Sequence, residues 1–176
     1  MTDVRRFVVA TVAVGRASVK DNVAQIVIDE LNATKIAFVS EVKVNRLVRS
    51  VTVNREAHYI EQLVVQIAND NEADLLVLIG GVGVGPRDYT CEAVDRLVNH
   101  RIEGFGEAFR RMMREDLGAG PEALFARATA GVYNQCVVVA LPRQPEPLRR
   151  AIRTLVLPIA DVAVRTAVGA RQRANP

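Results

Sequence analysis

The residues best suited to chemistry lie in one loop, Leu78-Ile79-Gly80-Gly81-Val82-Gly83-Val84-Gly85-Pro86-Arg87-Asp88. Its glycines let the backbone take positive φ and approach a ligand closely. A helix beginning near Thr90 would aim its free N–H groups back at the loop, and that arrangement makes an anion site. Arg87 can add a charge-assisted contact to phosphate, and Asp88 can hold magnesium through an oxygen ligand. The same residues also describe a tight β–α turn, with Asp88 or Thr90 capping the helix. Glycine spacing alone leaves these two readings level. It does exclude others: the spacing is neither the dinucleotide fingerprint nor the Walker loop, which ends in Gly-Lys-Ser/Thr.

Two other segments follow strand-like runs. Asn54-Arg55-Glu56 comes after a strand ending at Val53, and Glu56 serves either as a site acid or as a helix N-terminal carboxylate. Pro142-Arg143-Gln144-Pro145-Glu146-Pro147 comes after the strand Cys136 to Leu141. Arg143 can reach a phosphate, but three prolines make a rigid turn whatever the function, and alone this loop reads as structural. His58 and His100 have no second ligand at helical or hairpin spacing, so no zinc site is expected. No Gly-x-Ser-x-Gly elbow or Ser/His/Asp set is present. Cys91 and Cys136 are too far apart in sequence to suggest a disulfide framework or metal cluster.

The elements that must position these loops alternate in period. Val8 to Val14 reads as a strand. Val19 to Leu31 reads as a helix with Val23, Ile26, Val27, Glu30 and Leu31 at helical spacing, and Asp21 favours its N-terminus. Lys35 to Val44 and Leu47 to Val53 read as strands, joined at Asn45-Arg46 by a weak hairpin signal. Arg55 to Asn69 reads as a helix, and Leu75 to Ile79 as a strand covered on both faces. Helices follow at Thr90 to Asn99 and Gly106 to Asp116, then the strand Cys136 to Leu141. A last helix begins near Pro147 and runs to about Leu157, where Pro158 interrupts it. Alternating strands and helices predict an α/β fold in three layers, with a mostly parallel central sheet and helices on both faces. Residues 1–168 read as one domain and residues 169–176 as a polar tail.

Composition narrows the partners. The net charge of +3 is small, arginines crowd only toward the C-terminus, and the 5% aromatic content carries no basic-aromatic motif. Nucleic acid is therefore not an expected partner. No apolar run is long enough to span a bilayer, and the start of the chain reads as a first strand rather than a cleaved leader. A cytoplasmic protein with a small-molecule ligand is the expectation.

Five ordered segments together resemble one family. Gly80-Gly81-Val82-Gly83, Arg87-Asp88 and Glu92-Ala93-Val94 are similar to the Gly-Gly-Thr-Gly…Arg-Asp-Val-Thr-Pro-Glu-Ala segment of the molybdopterin-binding MoaB/Mog family of molybdenum cofactor biosynthesis. Glu103 to Arg110 resembles its Gly-Phe-Gly-Glu-x-Phe-Arg stretch, and Arg114 to Gly118 follows in order. Ala126 to Val132 resembles Ser-Arg-Ala-Thr-Ala-Gly-Val, and Ala140 to Pro145 resembles Leu-Pro-Gly-Ser/Gln-Pro-Lys. The spacing holds from about Leu75 to Leu157, whereas the first half matches only in element order.

The resemblance implies a trimer or a hexamer and a pocket for molybdopterin. In adenylyltransferase members it also implies transfer of AMP from Mg-ATP to the molybdopterin phosphate. Carried over by position, Asp88 is the catalytic and metal-holding carboxylate, and Glu56 is a candidate second acid. Gly80, Gly81, Val82, Gly83, Arg87, Glu107, Arg127, Pro142 and Arg143 border the ligand.

The chain departs from the pattern at several points. Val82 replaces the loop threonine, Cys91 the proline after Thr90, and Ala126 the serine before Arg127. Arg143 replaces a glycine and Glu146 a lysine, and Val14-Gly15-Arg16 stands where Ser-Asp or Ser-Asn is usual. Lys35 to Val53 is longer than the pattern needs, as an added hairpin would make it. These losses leave open a catalytically inactive scaffold, or a binder of another phosphate-bearing ligand. Each lost polar contact weakens binding by on the order of 1–3 kcal/mol.

Overall fold

The computed structural model describes residues 4–13, 22–33, 44–160, 162, 163 and 166. Strands β1 (Val4–Ala13), β2 (Val44–Asn54), β3 (Leu75–Ile79), β4 (His100–Arg101), β5 (Thr129–Tyr133) and β6 (Cys136–Leu141) form one sheet in the order β2-β1-β3-β6-β5-β4. The first four positions of that order run parallel, and β5 and β4 add an antiparallel edge. The expected three-layer, mostly parallel α/β architecture is the one observed.

The strands β1, β3 and β6 alternate their apolar side chains between two cores. Phe7, Val9, Val77, Ile79, Val139 and Leu141 face one side. There they meet helices α1 (Val23–Ala33), α4 (Phe105–Glu115) and α5 (Pro145–Ala151). Val8, Ala10, Val12, Leu76, Leu78 and Val138 face the other side, against α2 (Ala57–Asn69) and α3 (Thr90–Leu97). Every residue of β3 and β6 is buried, which explains their unbroken apolar runs. The helix after β1 packs on the first face and the helix after β3 on the second. Chains leaving the carboxyl ends of these adjacent strands therefore diverge, and ligands bind at such a divergence in open α/β sheets.

Several expectations are corrected. The strand β2 runs unbroken from Val44 to Asn54, so no turn exists at Asn45-Arg46. Its parallel partner β1 satisfies the backbone that a hairpin would have paired. Lys35 to Lys43, Val14 to Asp21 and Gly169 to Pro176 lie outside the described residues. Helix α5 begins at Pro145, where proline suits a first turn because its missing N–H would be unpaired anyway. It continues into a π turn, Ile152–Val156, closed by the Leu157 N–H donating to the Ile152 carbonyl. Helix resumes through Ala160, so Pro158 sits in a continuing helix behind a widened turn rather than at an end.

A hairpin between β5 and β6 was not foreseen. Asn134 (φ 43) and Gln135 (φ 72) both take left-handed conformations between Tyr133 and Cys136. That is the pattern of a primed two-residue turn. The Asn134 amide donates to Asn69 Oδ1 at 2.7 Å, and its backbone N–H donates to Asn99 Oδ1 at 3.1 Å.

Helices α1 and α5 are braced through a buried carboxylate. Glu30, with its side chain 4% exposed, accepts from Arg149 Nη1 at 3.0 Å and from Arg153 Nη2 at 2.9 Å. The hydrogen bond from Arg153, and then that from Arg149, holds the Glu30 carboxyl below its ordinary pKa, against the opposing effect of burial. Glu30→Gln should lower stability by about 1–3 kcal/mol at neutral pH, seen as a lower urea midpoint at unchanged slope. A lowered folded pKa makes this contribution complete above the unfolded value near 4.5 and progressively lost at lower pH. The gap between wild type and variant should accordingly close as acid titrates the native carboxylate.

Candidate functional site

The glycine loop leaves the buried end of β3 and is fixed by few bonds. The Gly80 N–H donates to the Leu141 carbonyl at 2.8 Å, joining the ends of β3 and β6. The Thr90 hydroxyl donates to the Gly80 carbonyl at 2.8 Å, and the Thr90 N–H donates to the Gly81 carbonyl at 2.9 Å. Thr90 is fully buried, so these bonds form away from water. Gly80 (φ 103) and Gly81 (φ 65) are left-handed, and a Cβ on Gly81 would overlap the Thr90 hydroxyl. Here the sequence needs glycine for both conformation and space.

Asp88 folds back over this loop. Its N–H donates to the Gly85 carbonyl at 3.1 Å, and its Oδ2 accepts from the Gly85 N–H at 3.2 Å. A Cβ on Gly83 would sit 2.6 Å from the same oxygen. Asp88 Oδ1 accepts no hydrogen bond among the described residues, and Asp88 lines the cleft beside the loop.

That cleft, about 710 Å³, brings together most of the carried-over residues. Gly80, Gly81, Val82, Gly83 and Asp88 line it, with Arg127 from the approach to β5 and Pro142 and Arg143 from the loop after β6. The Arg143 stem lies over Gly80, and its Nη1 donates to the Val12 carbonyl at 3.3 Å near the end of β1. Arg127 donates to Glu92 Oε1 at 2.6 Å, which anchors it to α3. The neighbouring Cys91 thiol is raised above its ordinary pKa by burial, an effect partly offset by its hydrogen bond with Arg127. Val82 is 4% exposed and packs on the α2–α3 side.

Three of the carried-over residues stand apart. Arg87 is exposed and is not in the lining. Glu56 is the exposed N-cap of α2, with its Oε2 3.7 Å from His58 Nδ1. It lies at the carboxyl end of β2, one strand beyond β1. Glu107 lines a separate cavity of about 590 Å³ with Arg110, Arg111 and Arg114. Its neighbours in the motif have packing reasons: Phe105 and Phe109 are buried, and a Cβ on Gly106 would sit 2.8 Å from the Ala128 carbonyl.

Sequence reasoning did not single out Val84, Phe109, Met113, Glu122, Phe125 or Gln144, which also line the cleft. Glu122 and Phe125 lie on a 3-10 turn, Pro121–Phe125, too short to show a periodic signal. Hydrogen bonds from its own and the Gly120 backbone N–H hold the Glu122 carboxyl below its ordinary value. The cleft thus pairs two guanidiniums with two carboxylates around a glycine floor, an arrangement that can orient a phosphate ester and take up its charge.

A family model described as a "probable molybdopterin binding domain" matches residues 11–161. The chain is 38% identical over 98 residues to molybdenum cofactor biosynthesis protein B of Staphylococcus epidermidis, covering 55% of this chain and 54% of that protein. The chain therefore spans about half the length of that curated relative in the match. It is 28% identical over 167 residues to a molybdopterin adenylyltransferase of Helicobacter pylori, covering 94% and 93% of the two chains. A crystal structure of a molybdenum cofactor biosynthesis protein B superposes with a TM-score of 0.80 at 25% identity, covering 95% of this chain and 98% of that one.

The loop geometry makes a direct prediction. Gly81→Ala should destabilise the fold by about 1–3 kcal/mol through its left-handed backbone and its overlap with Thr90. Chemical denaturation would measure this, and a value within 0.5 kcal/mol of wild type, the ordinary scatter for surface changes, would contradict the described geometry.

Proposed function

The chain belongs to the molybdopterin-binding domain family, and on that premise we propose that its cleft binds molybdopterin and transfers AMP to it from Mg-ATP. An oxygen of the molybdopterin phosphate attacks the α-phosphorus of ATP. A new P–O–P link forms as the bond from the α-phosphorus to the bridging oxygen breaks, and pyrophosphate leaves. The observation that carries this reading is the sharing of one cleft by glycine backbone, Asp88 and the guanidiniums of Arg127 and Arg143.

In this reading Gly80, Gly81 and Gly83 let the phosphate approach the backbone, and Val82 packs behind them. Arg127 and Arg143 take up its charge, while Pro142 fixes the course of the loop that carries Arg143. Arg87 guards the exposed rim. Glu56 and Glu107, which do not line the cleft, take part only if the substrates extend beyond it.

Asp88 Oδ1 has the chemistry to hold magnesium. Among the described residues no group of three or more His, Cys, Asp or Glu could hold a metal ion alone. That suits magnesium in nucleotide sites, where one or two carboxylates are joined by water and substrate phosphates. When bound, the ion neutralises phosphate charge. The protein's own part is positioning and charge complementarity.

Val82 favours a second reading. It is buried and offers no hydroxyl where the family has threonine, which suits a catalytically inactive oligomeric member acting as a scaffold or holding another phosphate-bearing ligand. Under either reading we place the chain in the cytoplasm as a trimer or hexamer. Leu124, 69% exposed on the 3-10 turn, offers apolar surface for self-association.

Purified protein supplied anaerobically with molybdopterin and Mg-ATP should form adenylylated molybdopterin and pyrophosphate. Asp88→Asn keeps an oxygen acceptor for the Gly85 N–H. It should cut AMP transfer at least about 100-fold, the scale seen when a charge-stabilising group is removed, while leaving molybdopterin binding intact. Binding without turnover in wild type would select the second reading, and absence of molybdopterin binding at micromolar concentration would remove the first.

A further inference from the structure

Among the described phenylalanines, Phe7, Phe105 and Phe109 are no more than 3% exposed, whereas Phe125 is 64% exposed. It is also in the lining of the cleft that holds the glycine loop and Asp88. Val84, equally exposed at 64%, lines the same cleft from the glycine loop. Exposed apolar side chains scattered singly need no explanation, but two on separate walls of one concave site do.

The turn that carries Phe125 is held in place. Pro121 starts it, the Gly120 N–H donates to Glu122 Oε1 at 2.9 Å, and the Ala123 N–H donates to the Gly120 carbonyl at 3.1 Å. Ala123 is 1% exposed and plugs the turn into the body of the protein. The Ala126 N–H closes the far side on the Ala123 carbonyl at 3.2 Å. The backbone under Phe125 is therefore fixed while its ring faces the cleft and solvent.

We propose that Phe125 is a stacking platform for a planar heteroaromatic ring whose anionic group sits at the glycine loop, with Val84 supplying further apolar contact. This rests on the reading that the cleft takes a phosphate-bearing ligand, and it adds which side chain selects ligands that carry a ring. An aromatic face accepts such rings through dispersion and quadrupole complementarity at little conformational cost, since the side chain has only two torsions. The ring can come from a pterin or from adenine, since both are flat and nitrogen-rich.

The test uses three probes on the full chain, followed by calorimetry: pterin-6-carboxylate, AMP and the ring-free anion glycerol 2-phosphate. Wild type should bind at least one ring-bearing probe more tightly than glycerol 2-phosphate. Phe125→Ala should weaken that probe about tenfold and leave glycerol 2-phosphate unchanged. Phe125→Trp should restore the affinity and Phe125→Leu should not. The probe that loses affinity identifies the ring as pterin or adenine.

The proposal is overturned if Phe125→Ala leaves both ring-bearing probes unaffected, or if leucine serves as well as phenylalanine. It is also overturned if the variant lowers oligomer mass in sedimentation while ring affinity holds, which assigns the side chain to self-association. Wild type that binds the simple anion but gains nothing from a ring defeats this inference alone. Wild type that binds none of the three defeats the phosphate-ligand reading as well.

Discussion

Two carbonyls at the end of β3 depend on one threonine. Gly80 and Gly81 turn their oxygens toward Thr90, whose hydroxyl and N–H are both spent on them. The bonds are buried, so breaking either leaves an acceptor dry at a cost of about 1–3 kcal/mol. The pair forces the loop through left-handed backbone, swings Val82 inward and sets where Asp88 returns to the glycines. The rest of the cleft is arranged around that fixed floor. The Arg143 stem covers Gly80, and Arg127 is reached through Glu92 on the helix that Thr90 begins.

The charges around the floor are restrained rather than loose. Arg127 is tied to Glu92 and Arg143 to the Val12 carbonyl, so each cation has a partner before any ligand arrives. Such ties hold the guanidiniums in place, and at Arg127 the Glu92 carboxylate also compensates part of the charge, at the expense of some attraction for an incoming anion. Asp88 is held in the same manner through one oxygen, leaving the other turned to different use. An arrangement of this kind favours orientation over raw affinity.

Much of this was legible in the residues. The runs Leu75 to Ile79 and Cys136 to Leu141 are apolar throughout because both faces of each strand are covered, and their loops had to emerge at the sheet's carboxyl edge. The resemblance carried by the ordered motifs from Gly80 to Pro145 implies that Asp88, Arg127 and Arg143 border one ligand, and in the structure these three side chains line one cleft.

Other features carried little sequence signal. The β5–β6 hairpin turns on Asn134-Gln135 rather than Asn-Gly, and its left-handed backbone is supported from Asn69 and Asn99, residues distant in sequence. Asn45-Arg46 resembled a turn because polar residues interrupt an apolar run, yet on this edge strand the Asn45 amide donates to the Leu31 carbonyl of α1 at 2.6 Å while Arg46, on the opposite face, is exposed. Glu107 was carried to the pocket by its place in a motif, but helical rotation sets it beside Arg110 and Arg111, since residues three and four apart on α4 share a face. Phe125 lay on a turn of five residues, where no periodicity distinguishes a cleft wall from a surface loop.

The two thiols have a consequence of a kinetic kind. Cys91 is 5% exposed at the start of α3, and Cys136 is 2% exposed on a central strand, where burial above all pushes its pKa up to about 12. With so little thiolate within reach of water, each sulfur reacts only when its surroundings open. Cys91 thereby clocks excursions of the helix that supports the glycine loop, and Cys136 clocks those of the central sheet, so the chain carries its own reporters of local and global breathing.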